Sequence, residues 1–227
     1  MRPPALILAG GLATRMGGGD KPLLMLRGQP LLRHVIDRLA PQAGLLALSA
    51  NGDPERFAAF ALPVLADAVL DREGRQIGPL AGILAGLAWI APQTPYLLSV
   101  AGDTPFLPLD LAARLLTAAA PERPALACSG GRQHPTAALW PLALADDLRA
   151  YVQGGERRLM PWFARHSAAP VEWPTLPVDP FLNINRPEDL RDAERSPWHW
   201  GATPPPAPNP PAAPSATPAT PPDDGPR

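Results

Sequence analysis

The chain has 227 residues, 46% of them hydrophobic and 18% charged, with a formal net charge of −1; that length fits one α/β domain plus an appendage and disfavours two full domains. The near-zero charge excludes a broad basic field for a nucleic-acid polymer or an anionic membrane, so any phosphate has to be held by local groups. The single cysteine, Cys128, excludes an internal disulfide and a cysteine metal cage; with no charged-then-apolar leader and no apolar run of about 18 residues, a soluble, cytoplasmic protein is expected.

Apolar runs of strand length at residues 5–9, 45–49, 63–66, 96–101 and 125–128 alternate with segments at 30–39, 54–61, 79–90 and 108–119. In these the apolar residues recur at helical spacing, and each segment opens on a proline suited to a first helical turn. The alternation predicts parallel strands joined by crossover helices. Unbroken apolar strands such as Leu6-Ile7-Leu8-Ala9 suit a sheet covered on both faces, hence a three-layer α/β/α sandwich with a mostly parallel, Rossmann-like sheet. No internal repeat is present. The folded domain is expected to span residues 1–195. Residues 196–227 are rich in Pro, Ala and Thr, with twelve of the chain's 34 prolines between Pro197 and Pro226. Such a segment cannot bury enough surface to offset its ordering entropy, and a disordered tail is expected there.

Ligands of open α/β sheets bind at the carboxyl ends of the strands, and two polar, glycine-containing clusters fall there. The first runs from Gly10 to Lys21 and includes Gly11, Arg15, Gly17, Gly18, Gly19 and Asp20. Its glycines let backbone N–H groups turn toward an anion, and Arg15 and Lys21 add positive charge, which makes a phosphate cradle. It is not a Walker A loop, because Pro22 follows Lys21, nor is it a GxGxxG fingerprint in strand-turn-helix register. Lys21 is the only lysine among 20 Lys and Arg residues. An ammonium is a compact charge on a slim stem and enters a narrow phosphate pocket that a planar guanidinium does not.

The second cluster, Gly102-Asp103-Thr104, projects a carboxylate from a strand end before Pro105. Alone, Asp103 reads as a helix N-cap for the segment after Pro108. Beside a phosphate cradle it suits Mg²⁺, a hard ion that takes one or two protein oxygens and completes its shell with phosphate and water. Asn51 and Asp67 also follow strand candidates; a carboxylate there can accept from both N1–H and the exocyclic amine of guanine, although Asn and Asp are common turn residues after strands. Three later segments read as polar loops: 133–136 around His134, 154–160 with Arg157 and Arg158, and 181–188 with Asn183 and Asn185. They are candidates for a second substrate site, with Asn185 alternatively a helix cap.

From about residue 5 to 191 the chain resembles the molybdenum cofactor guanylyltransferases of the nucleotidyltransferase superfamily. The matching pieces are Leu8-Ala9-Gly10-Gly11 through Arg15 to Asp20-Lys21, Gly78-Pro79-Leu80-Ala81-Gly82, Asp103-Thr104-Pro105, His134-Pro135-Thr136, Gly155-Glu156-Arg157-Arg158, and Asn183-Ile184-Asn185. The resemblance implies transfer of GMP from GTP to molybdenum-loaded molybdopterin with release of pyrophosphate. It implies GTP contacts at Leu8, Ala9, Gly10, Lys21, Asn51, Asp67 and Asp103, a phosphate contact at Arg15, Mg²⁺ on Asp103, and catalytic roles for Arg15, Lys21 and Asp103. The late segments would face the pterin, and a molybdoenzyme or chaperone is a conceivable partner for delivery. Relatives often carry bulkier or sulfur-containing residues where Ala101-Gly102 stands here. The rival readings are a CTP-dependent cytidylyltransferase for the same pterin, which more often reads Leu-Ala-Ala-Gly in the first block, and a noncatalytic carrier of pterin or nucleotide.

Overall fold

The computed structural model describes residues 1–10, 20–67, 78–92 and 94–196. A seven-stranded sheet of order β5-β4-β1-β6-β8-β7-β9 forms the centre. Its strands are β1 (Ala5–Leu8), β4 (Leu46–Ser49), β5 (Val64–Leu65), β6 (Tyr96–Ala101), β7 (Ala125–Ser129), β8 (Arg132–Pro141) and β9 (Ala169–Trp173). The short strands β2 (Met25–Leu26) and β3 (Gln29–Pro30) form a separate hairpin. β1 pairs parallel with β4 and β6, β4 with β5, and β7 with β9, whereas β8 pairs antiparallel with β6 and β7. Since β6 and β7 both oppose β8, every strand of the sheet except β8 points the same way. Their carboxyl ends therefore share one edge.

Helices cover both faces. On one lie α1 (Leu31–Leu39) and α3 (Leu111–Ala118); α1 buries Leu32, Val35, Ile36 and Leu39, the i, i+3, i+4, i+7 stripe of an amphipathic helix, against Ile7, Leu98 and Val100. On the other lie α2 (Pro79–Ile90), α4 (Ala145–Gln153) and α5 (Leu159–Arg165), packed on Leu6, Ala47, Leu97 and Trp140. α2 carries no charged residue because it is enclosed between the sheet and α4. Its Gly82 and Gly86 face the strands: a Cβ on Gly82 would lie 2.1 Å from Ser49 Oγ and 3.1 Å from Ser49 Cβ, and one on Gly86 would lie 2.8 Å from Leu6 Cδ2. A third, smaller core of Leu26, Leu31, Phe106, Ile184 and Ala193 joins the β2–β3 hairpin to α6 (Pro187–Arg195).

The three-layer expectation holds, with corrections in its details. The 54–61 segment is a 3-10 helix, Pro54–Phe60, ended by Ala61 at φ 52°. The 133–136 segment is not a loop but the start of β8. Pro135 has no N–H for a ladder, and the pairing accommodates it by a register shift: Leu126 faces Ala138 while Ala127 faces His134, so residues 135–137 bulge. Gly130 and Gly131, at φ 55° and 75°, form the two-residue turn that joins β7 to β8, a conformation that suits glycine at both positions. α4, α5 and β9 are not expected from the sequence, whereas α6 begins where a helix near Arg186 is expected. Among the described residues no helix is long and apolar enough to cross a membrane. The expected tail from 197 onward, and most of the first glycine cluster with Arg15, lie outside the described residues.

Candidate active site

One cavity of about 450 Å³ opens at the carboxyl edge of the sheet. Of the residues singled out from sequence, Leu8, Gly10, Lys21, Asn51, Asp67, Asp103, His134 and Asn183 line it. Ala9 does not bring its side chain there: it is fully buried in the core, and its N–H donates to Ser49 O at 2.8 Å. Arg157 and Arg158 are not among the lining residues. Gln133 of the 133–136 segment and Gly78 and Pro79 of the 78–82 segment line the cavity as well, together with Ser49 and Arg132; for Arg132 the usable signal was the preceding glycine pair, which marks a hairpin.

At the centre stands Asp103, two residues past the end of β6. Its Oδ2 accepts from the Lys21 ammonium, its Oδ1 accepts from Asn183 Nδ2 at 2.8 Å, and its backbone carbonyl accepts from Ile184 N at 3.0 Å. Lys21 also donates to Asn185 Oδ1. The side chains of Lys21 and Asp103 are only 14% and 13% exposed. Ile184 is buried in the third core, and Asn183 and Asn185, one residue to each side, both reach the Lys21–Asp103 pair. Asn185 is not the cap of α6. The cap position is Arg186, and Asp189, the third residue of the helix, reaches back to it, its Oδ2 accepting from the N–H groups of Asn185 and Arg186, each at 2.8 Å.

The loop after Asp103 is anchored from α1 and the turn that follows it. Gln42 Nε2 donates to Pro108 O and Arg38 O, both at 2.8 Å, while its Oε1 accepts from Ala112 N at 3.0 Å. Arg38 Nε donates to Leu107 O, and burial pulls this guanidinium down to about 10, still cationic at neutral pH. Gly102 has to be small: a Cβ there would meet Pro22 Cγ at 3.2 Å and Leu8 O at 3.3 Å, the contact that seats Pro22 and hence Lys21 against the end of β6.

Two flanks frame this centre. On the β4–β5 side, Asn51 and Asp67 grip each other, Asn51 Nδ2 donating to Asp67 Oδ2 at 2.7 Å and Asp67 N donating to Asn51 Oδ1 at 2.8 Å. Arg56 fastens this flank to the cradle, donating to Asn51 O and pairing with Asp20 at 3.4 Å. On the β7–β8 side, His134 stacks on Phe181 with ring centroids 4.8 Å apart. Burial holds His134 below the usual histidine range, aided by Arg132 and opposed by Asp179 and Glu172.

The donor set at the centre is oxygen, the Asp103 carboxylate with the Asn185 carbonyl beside it, and it already holds a cation in the Lys21 ammonium. Among the described residues no group of three or more His, Cys, Asp or Glu forms a protein cage. A single carboxylate with a neutral oxygen neighbour fits a hard divalent ion that draws its remaining ligands from phosphate and water.

A family profile, the MobA-like NTP transferase domain, matches residues 5–169. The molybdenum cofactor guanylyltransferases of Rhodopseudomonas palustris (strain BisB5) and Bradyrhizobium sp. (strain ORS 278) are each 54% identical to this chain over 198 residues, covering 85% of it and 92% of the relative. In fold, the chain is similar to the crystal structure of molybdopterin-guanine dinucleotide biosynthesis protein A from Archaeoglobus fulgidus, with a TM-score of 0.64 and 22% identity over 85% of this chain and 97% of that one.

Proposed function

The chain belongs to the MobA-like NTP transferases, and from that premise we propose that it transfers GMP from GTP to molybdenum-loaded molybdopterin, forming the guanine dinucleotide cofactor and releasing pyrophosphate. The observation that carries this reading is the Lys21–Asp103–Asn183–Asn185 cluster set midway between two separate flanks of one cavity. A reaction that joins two substrates at a phosphorus atom needs that arrangement: a charged centre with a recognition surface on each side.

The β4–β5 flank takes the guanine, with Asp67, oriented by Asn51, accepting from the base's N–H edge. Leu8, Ala9 and Gly10 supply backbone beside it, and α2 presents its amino end from Gly78. The terminal phosphate of molybdopterin has a second pKa of about 6 and is largely dianionic at pH 7, so no residue need act as a general base. It attacks the α-phosphorus in line. Negative charge then builds on the α-phosphoryl oxygens and the departing pyrophosphate, and Lys21 and Arg15 stabilise it. Asp103, with Asn185 beside it, would hold Mg²⁺, which supplies Lewis-acid polarisation of the phosphoryl oxygens when bound. The catalytic part is residues 1–195, and residues 196–227 are given no role. A cytoplasmic setting fits the single buried, free thiol of Cys128, and the product would pass to a molybdoenzyme or its chaperone.

The test is pyrophosphate release by the purified protein with Mg²⁺ and molybdenum-loaded molybdopterin, in parallel with GTP, CTP and ATP. Release with GTP alone is expected. Release with CTP instead overturns the base assignment but keeps the mechanism, and no release with any nucleotide points to a carrier.

A further inference from the structure

On the β7–β8 flank a chain of three polar side chains is left unused by the nucleotide chemistry. Ser129, at the end of β7, is 2% exposed; its Oγ lies 2.8 Å from Asp179 Oδ1 and 2.7 Å from His134 Nε2. The β7–β8 turn makes this possible: Ala127 pairs with His134, which puts Ser129 diagonally across from it on the same face. A hydroxyl has one proton and a carboxylate only accepts, so the Ser129 proton goes to Asp179 and Nε2 carries the hydrogen donated to Oγ. The tautomer is thereby fixed. Nδ1 keeps its lone pair, on a ring that lines the cavity, and has no partner among the described residues.

The rest of the chain is braced to hold that ring still. Asp179 Oδ1 also accepts from Phe181 N at 3.0 Å, the Phe181 ring stacks on His134, and Trp173 meets Phe181 edge-on at 5.4 Å. Packing alone would be served by an apolar ring at this position. An imidazole with a fixed tautomer, on a ring that lines the cavity, is suited to reading an N–H donor.

We propose that His134 binds the heterocycle of the acceptor substrate, Nδ1 accepting from a ring N–H of its aminopyrimidinone edge, with Ser129 and Asp179 as positioning residues that hold the tautomer. This rests on the guanylyl-transfer reading, in which the β4–β5 flank is committed to the nucleotide. Lys21 and Asp103 then fall between the two heterocycles, where the phosphates meet.

The test is steady-state pyrophosphate release by the wild-type protein and by His134→Phe, His134→Gln and Ser129→Ala, with molybdenum-loaded molybdopterin varied at saturating GTP and GTP varied at saturating pterin. His134→Phe is expected to raise KM for the pterin about tenfold or more and to leave KM for GTP within about twofold. His134→Gln, which keeps an acceptor, recovers part of the loss, and Ser129→Ala gives a smaller loss with the same one-sided signature. Should His134→Phe fail to fold, the Gln and Ala variants carry the test. An unchanged pterin KM, or a parallel rise in both constants, overturns the proposal and leaves His134 a packing residue. A wild-type protein inactive with GTP removes the guanylyl reading and this inference together; an active one indifferent to substitution at His134 removes the inference alone.

Discussion

At the residue scale, Asp103 is contacted through every oxygen it has: one carboxylate oxygen by Lys21, the other by Asn183, and the backbone carbonyl by Ile184. Asp103→Asn keeps the shape and removes the charge, and turnover is expected to fall on the order of 10³-fold, as when a preorganised electrostatic group is lost. Pyrophosphate release measures it, and near-normal turnover would take Asp103 out of the mechanism. Lys21→Arg retains the charge yet should also lose most activity, because the guanidinium fork has to fit a side-chain site that is 14% exposed, between Asp103 and Asn185. Wild-type kinetics in that variant would refute the point-charge argument. Lys21 and Asp103 were legible in the sequence because each belongs to a glycine-containing cluster that follows a strand, Lys21 closing the first and Asp103 lying in the second. The roles of Asn183 and Asn185 were not, since Lys21 and Asn185 lie 164 positions apart and no local pattern reports a contact of that range. The link from Ser129 to Asp179, 50 positions along the chain, escaped for the same reason.

At the element scale, α2 is the part whose placement depends most on what is missing from its side chains. Gly82 and Gly86, one turn apart, let the helix settle onto β1, β4 and β6, and its amino end at Gly78 and Pro79 thereby reaches the cavity. Gly82→Ala is expected to cost about 1–3 kcal/mol, since the new methyl overlaps Ser49 and the alternative is a shift of the helix. Urea denaturation reads the loss. A variant as stable as the wild type would show that Ser49 yields freely. The sequence marked α2 correctly over 79–90 because its apolar run opens on Gly-Pro, but β8 read as a loop because Pro135 and the polar residues before it are what a turn looks like. What decides the matter is pairing with β6 and β7, a tertiary gain that local composition does not carry.

Across the whole molecule, stability against acid has an identifiable contributor far from the cavity. Asp147 on α4 accepts from Trp162 Nε1 at 2.9 Å and His166 Nε2 at 2.8 Å and pairs with Arg165 at 3.2 Å. Its burial by itself would raise the carboxyl pKa; the hydrogen bonds from His166 and Trp162, with the charges of His166 and Arg165, outweigh that and hold it below the ordinary value. A depressed carboxyl stabilises the fold above the unfolded value, about 3.9, and that contribution is lost as pH falls through the folded one. Asp147→Asn should therefore cost about 1–2 kcal/mol at pH 7 and flatten the acid limb of the stability curve; an unchanged acid limb in thermal unfolding would sink the assignment. The two flanks of the cavity have a different kind of consequence. One is built from the ends of β4 and β5, the other from the β7–β8 hairpin, and they meet only across β1 and β6. On the proposed assignments, substitutions around Asn51 and Asp67 would change the base preference while the acceptor stays constant, and rewriting the two-glycine hairpin would change the acceptor while the nucleotide stays constant, so that donor and acceptor would be separable traits on one scaffold.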